Sequence, residues 1–129
     1  MSTAPTIAIN SIMQIAINVQ NLRRAIEFYR DKLGIKFLFQ AGDKLAFLDC
    51  GGVRLMLDIP EDERLQHPSS IVYFNVSDIQ AAHKDLAGRG VKFENAPHCI
   101  ARLPGREVWL NEFNDGEGNV MALMSEVAV

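Results

Sequence analysis

Hydrophobic and polar positions along the chain follow two alternating periods. Over Gln14–Val19 the odd positions Ile15, Ile17 and Val19 are uniformly apolar, whereas Gln14, Ala16 and Asn18 are not. That is the period-two pattern of a strand with one buried face. From Leu22 the period lengthens. Leu22, Ala25, Ile26, Tyr29 and Leu33 recur at the spacing of an amphipathic helix, with Asn21 placed to cap it and Gly34 to end it. Short β-rich runs follow at Lys36–Gln40, Leu45–Asp49 and Val53–Asp58. The same order then recurs. Val72, Phe74 and Val76 alternate with Ile71, Tyr73 and Asn75. Asp78 is placed to cap a helix with the stripe Ile79, Ala82, His83 and Leu86, and Gly88 or Gly90 to stop it. Val91–Glu94, Cys99–Leu103, Val108–Phe113 and Val120–Met124 read as further strands.

The recurrence extends to the residues themselves. Ile15-Ala16-Ile17-Asn18-Val19 matches Val72-Tyr73-Phe74-Asn75-Val76, 57 positions on, and Gly34-Ile35-Lys36-Phe37 matches Gly90-Val91-Lys92-Phe93, 56 on. Gly52–Leu57 lines up with Gly118–Met124 at an offset of 66. An internal repeat of this order predicts an α+β fold of two tandem βαβββ modules, residues 12–59 and 71–126. A polar, Pro-bounded linker (60–70) joins them and a leader (1–11) precedes them. A strand packed on a helix buries one face. The core set is therefore Ile15, Ile17, Val19, Leu55, Leu57, Val72, Phe74, Val76, Met121 and Leu123. Gln14, Asn18, Arg54, Met56, Asp58, Ile71, Tyr73 and Ala122 take the other face, a concave cup where a ligand would sit.

Composition narrows the function classes. With 129 residues, 48% hydrophobic and 22% charged, the chain is one ordinary globular domain that needs no disulfide to hold together. A net charge of −3, without runs of like charge, argues against a nucleic-acid or anionic-membrane partner. No apolar stretch approaches the roughly 20 residues that span a bilayer. Met1–Asn10 lacks the charged start and apolar core of a signal peptide, so a cytoplasmic location is expected. Cys50 and Cys99 have no metal spacing and no cationic neighbours, and are expected to be inert thiols.

The run Ile15 to Phe37, with Ala25-Ile26-Glu27-Phe28-Tyr29-Arg30-Asp31-Lys32-Leu33-Gly34, resembles the vicinal oxygen chelate superfamily. That group includes glyoxalase I, the bleomycin resistance proteins and extradiol dioxygenases. The ending Phe113-Asn114-Asp115-Gly116-Glu117-Gly118-Asn119-Val120 is similar to its closing D-x-x-G-N signature. The resemblance implies paired βαβββ modules that cup a ligand, with helices on the outer face of a mixed sheet, in chains that pair as homodimers. It also implies a His on the first strand of each module and a Glu on the last. Those positions fall at Gln14, Ile71, Met56 and Ala122. One weak amide oxygen, a thioether and two hydrocarbons do not satisfy a divalent ion that needs about three imidazole or carboxylate ligands. No metal and no other cofactor is therefore expected. Asp58 and Glu126, displaced along their strands, point to the rim.

The remaining polar groups divide between bland and functional readings. Arg54 and Asp58 suit a polar ligand group, or a rim ion pair with each other, and the pair is favoured. His67 reads as a solvated loop residue and His83 as a packed structural one. His98, at the start of a strand that reaches the cup, suits a binding or proton-transfer role or an edge position. Asn18 and Asn75 recur at equivalent places and suit a ligand contact or a strand-end bond. Tyr73, Trp109 and Phe113 suit stacking on an aromatic ligand or plain filling of the cup. Glu112, of opposite parity to Phe113, is expected to face away from it. The expected function is metal-independent binding of a small amphipathic or aromatic molecule, with no assigned catalytic residue. The alternative is a lyase, isomerase or dioxygenase of the same superfamily, either metal-free with Arg54, Asp58 and His98 as acid–base groups or with a displaced metal.

Overall fold

The structure, a computed structural model, describes residues 8–129. Of the leader read over 1–11, residues 1–7 lie outside the described residues. The first module contains β1 (Gln14–Asn18), α1 (Leu22–Ile26), β2 (Lys36–Ala41), β3 (Leu45–Cys50) and β4 (Val53–Asp58). The second contains β5 (Tyr73–Asn75), α2 (Ile79–Gly88), β6 (Lys92–Phe93), β7 (His98–Leu103), β8 (Arg106–Asn114) and β9 (Val120–Ala128).

Both helices begin where the sequence places their caps. The Asn21 side chain accepts from the Arg24 N–H and that of Asp78 from the Ala81 N–H, each at 3.0 Å. After Ile26 the first helix widens to π-helical bonding over Glu27–Lys32, and the Leu33 N–H reaches back five residues to the Phe28 carbonyl at 3.0 Å. The extra residue in the turn brings Phe28 into the core beside Tyr29, which a 3.6-residue period does not predict. Gly34, at φ 74°, then ends the helix in the left-handed conformation that only glycine adopts freely.

Each module forms its own mixed sheet. The orders are β1-β4-β3-β2 and β5-β9-β8-β6, with β7 also paired to β8. The four runs that follow the second helix therefore occupy three places, because β6 and β7 are one edge strand interrupted around Glu94–Pro97. The first strand of each module lies at one edge of its sheet and runs parallel to the last, with Ala16 opposite Met56 and Tyr73 opposite Ala122. These are the pairs the internal repeat matches.

Strand parity holds for the first and last strands of each module. Ile17, Leu55, Leu57, Met121 and Leu123 are at most 2% exposed, and Ile15, Val72, Phe74 and Val76 pack partly buried against them. Helix faces of both sheets contribute to a single core, in which Phe28 of the first module lies 6.1 Å from Phe113 of the second, centroid to centroid.

Candidate functional site

The cup face of the first module is built from rows of register partners. Gln14, Arg54 and Asp49 form one row, and Ala16, Met56, Phe47 and Phe39 the next. Phe39 stacks on Phe47 at 4.6 Å, and the Arg54 guanidinium lies 5.4 Å from the Phe47 ring centroid. Arg54 Nε donates to Gln14 Oε1 at 3.1 Å, and Gln14 Nε2 donates to Met56 Sδ at 3.4 Å. The expected rim pair of Arg54 with Asp58 does not form. Four residues along one strand separate the two by about 13 Å, and Arg54 is held on its own row instead. Burial raises the Asp58 carboxyl above its ordinary value. Asn18 serves the frame through its backbone, its N–H donating to Ser69 Oγ at 3.1 Å and its carbonyl accepting from Asn119 Nδ2 at 2.8 Å.

On the second module Tyr73, Ala122 and Glu112 form one row, and Asn75, Met124, Leu110 and His98 the next. Tyr73 is 49% and Ile71 43% exposed, whereas Ala122 is wholly covered by its neighbours. His98 therefore reaches the cup face. Phe113 and Trp109 do not. The hairpin register pairs Phe113 with Met121, so Phe113 shares the helix face, fully buried against Phe28, Phe74 and Phe93. Trp109, of the same parity, packs partly buried against the core and donates to Glu107 at 3.3 Å.

The residue that takes the cup position instead is Glu112, which sequence reasoning turned away from it. Its place follows from the strand register, in which Asn114 pairs with Val120 and Glu112 lies opposite Ala122. Asn95 Nδ2 donates to one Glu112 oxygen, and His98 Nε2 lies 3.9 Å from the other. Asn95 is itself fixed by Asn111, whose Nδ2 donates to Asn95 Oδ1 at 3.0 Å, and Asn111 Oδ1 lies 2.6 Å from His83 Nδ1. His83 is thus a packed structural histidine, as expected. His67 sits exposed in the linker, 2.9 Å from the Pro68 carbonyl. Cys50 and Cys99 are both free, and burial, then Asp49, push the Cys50 thiol up.

The closing D-G-E-G-N turn does something else. Asp115, 1% exposed, accepts from the Tyr29 hydroxyl at 2.7 Å, the Glu117 N–H at 2.7 Å, and the Asn119 N–H and Nδ2 at 3.1 and 2.8 Å. Glu117 accepts from the Gln20 and Asn21 N–H groups at 2.7 and 2.8 Å and from Arg24 Nε. Gly118, at φ 89°, lets the turn close against Gln20. Two buried carboxylates of one module thereby fasten the first helix of the other. Burial, then the Asp115 carboxylate, push the Tyr29 phenol far above its ordinary value, so it remains a donor.

Burial alone would raise the Glu117 carboxyl, but Arg24 and the two backbone donors outweigh it and hold the group below its ordinary value. A depressed carboxyl stabilises the fold above its unfolded value, about 4.3, and that contribution fades as the pH falls through the folded one. Glu117→Gln is expected to cost about 2 kcal/mol at neutral pH. The gap in melting temperature between the two proteins should then narrow steadily as the solution is acidified below about pH 4.3.

The positions that would hold a metal by resemblance carry Gln14, Met56, Ile71 and Ala122. Among the described residues, no three His, Cys, Asp or Glu side chains converge on one point. The donor set does not fit a divalent ion. Among the described residues, no helix is long and apolar enough to cross a membrane.

The pattern of the Glyoxalase/Bleomycin resistance protein/Dioxygenase superfamily matches residues 11–123. The chain belongs to that superfamily. A superfamily member from Sphaerobacter thermophilus shares its fold with a TM-score of 0.74 at 24% identity, over 91% of this chain and 98% of that one. Protein YraH of Bacillus subtilis is 25% identical over 87% of this chain and 95% of its own length. Metallothiol transferase FosB of Staphylococcus epidermidis is 35% identical over 54% of this chain and 52% of its own. Membership of the superfamily explains the recurring module.

Proposed function

We propose that this superfamily member is a metal-independent small-molecule-binding protein of the bleomycin-resistance type, with an aromatic or amphipathic compound held on its cup faces. One observation carries the reading. Both cup faces leave large apolar side chains exposed, Phe39 at 46%, Ile71 at 43% and Tyr73 at 49%, around a few ordered polar groups. A mostly apolar surface with sparse polar anchors supports the reading of a ligand site. The donor chemistry at Gln14, Met56, Ile71 and Ala122 supports a metal-free site.

The exposure of these apolar side chains suits a second copy that completes the enclosure, so in this reading the working unit is a homodimer. Tyr73 from one copy and the Phe39–Phe47 pair from the other would then sandwich the ligand body. On this account the chain works in the cytoplasm, with a small molecule as its partner. The test is calorimetric titration of the purified protein with an uncharged aromatic probe, 1-naphthalenemethanol. Binding is expected, weakened several-fold by Tyr73→Ala, which removes an exposed ring at little cost to stability. Equal affinity for wild type and Tyr73→Ala would place the ligand elsewhere.

A further inference from the structure

The geometry points to Glu112 as the anchor for a protonated amine on the ligand, an inference that rests on the cup reading above. Glu112 lies on the cup face, on the row of Ala122 and Tyr73. With strands about 4.8 Å apart, Glu112 and Tyr73 flank β9 at about 10 Å, the span of an aromatic ring joined to a short alkyl amine. The carboxylate is ordered before any ligand arrives. Asn95 donates to one oxygen, and Asn95 is held in turn through the wholly buried Asn111 to His83 on α2. This hydrogen-bonded series runs from the helix side of the sheet round its edge to the cup. Its effect is to fix the Glu112 rotamer, which lowers the ordering cost of binding.

The second oxygen is the one left for a ligand. His98 Nε2 stands 3.9 Å from it, outside hydrogen-bond distance, and the Glu112 side chain remains 24% exposed. A carboxylate accepts and never donates, so the complementary group is an N–H donor, and a protonated amine adds charge to that bond. On the cup face of the first module, Arg54 is already engaged by Gln14 and the Phe47 ring. An acidic ligand end would meet Glu112 without a free guanidinium to offset it.

The test compares 2-(1-naphthyl)ethylamine with 3-(1-naphthyl)propanoate by calorimetry at pH 7.5 in EDTA, on wild type, Glu112→Gln and Asn95→Ala. The amine is expected to bind wild type at least ten-fold more tightly than the acid. Glu112→Gln, which keeps the bond from Asn95, should abolish that preference by weakening the amine. Asn95→Ala, which keeps the charge but frees its rotamer, should weaken the amine several-fold and leave the acid unaffected, a check that holds even if the Gln variant folds poorly. Acid binding as tight as amine binding, or a preference unchanged in both variants, would overturn the anchor while leaving the cup reading intact. Failure of both compounds and of 1-naphthalenemethanol to bind would overturn the two together.

Discussion

Asp115→Ala is expected to be among the most damaging single substitutions in the chain, lowering the unfolding free energy by about 4 kcal/mol. The side chain is 1% exposed and receives the Tyr29 hydroxyl, two backbone N–H groups and the Asn119 amide. Alanine would leave those donors buried without an acceptor, at roughly 1–3 kcal/mol for each that water does not reach. Tyr29→Phe removes only one of the four and should cost about 1.5–3 kcal/mol, the range for a hydrogen bond to a charged group. Chemical denaturation of the three proteins measures both. If Asp115→Ala proved milder than Tyr29→Phe, the turn would not be the fastener between the modules.

Phe113→Ala is expected to cost about 3–5 kcal/mol, as a cavity where two modules meet. The ring is fully buried, and Phe28, Phe74 and Phe93 surround it with centroids at 6.1, 6.4 and 5.8 Å. Tyr73→Ala, on the opposite face and half exposed, should cost under about 1 kcal/mol, the range of surface changes. The contrast between the two aromatic residues separates the core face of the second sheet from its cup face. Comparable costs would mean that the faces are assigned wrongly.

The repeated module, both helix caps and the faces of the first and last strands were legible in the sequence, because each rests on local chemistry. Asn21 and Asp78 cap within three residues of themselves, and Ile17 or Leu57 is sorted by the simple alternation of its own strand. What failed was information that travels between strands. Val108–Phe113 carries apolar residues on both faces, so its own pattern does not say which side meets the helix. Only its register with β9, set by the Asp115–Asn119 turn, places Phe113 inside and Glu112 on the cup. The π-helical widening that buries Phe28 was hidden for a related reason, since a period of 3.6 assigns that residue to the flank. The closing turn itself was read as a family mark. Its physical role needed the third dimension, because Tyr29 and Asp115 are 86 positions apart in the chain.

The central claim is that the cup accepts an apolar body without a metal, and one paired titration tests it most directly. The protein is dialysed against EDTA, then titrated with 1-naphthalenemethanol before and after one equivalent of zinc or nickel is added. The account predicts the same affinity in both conditions and a melting temperature unmoved by the metal, since an ion stabilises only by binding the native state. Binding that appears only after the metal is supplied, or a melting temperature raised by several degrees in its presence, would contradict it.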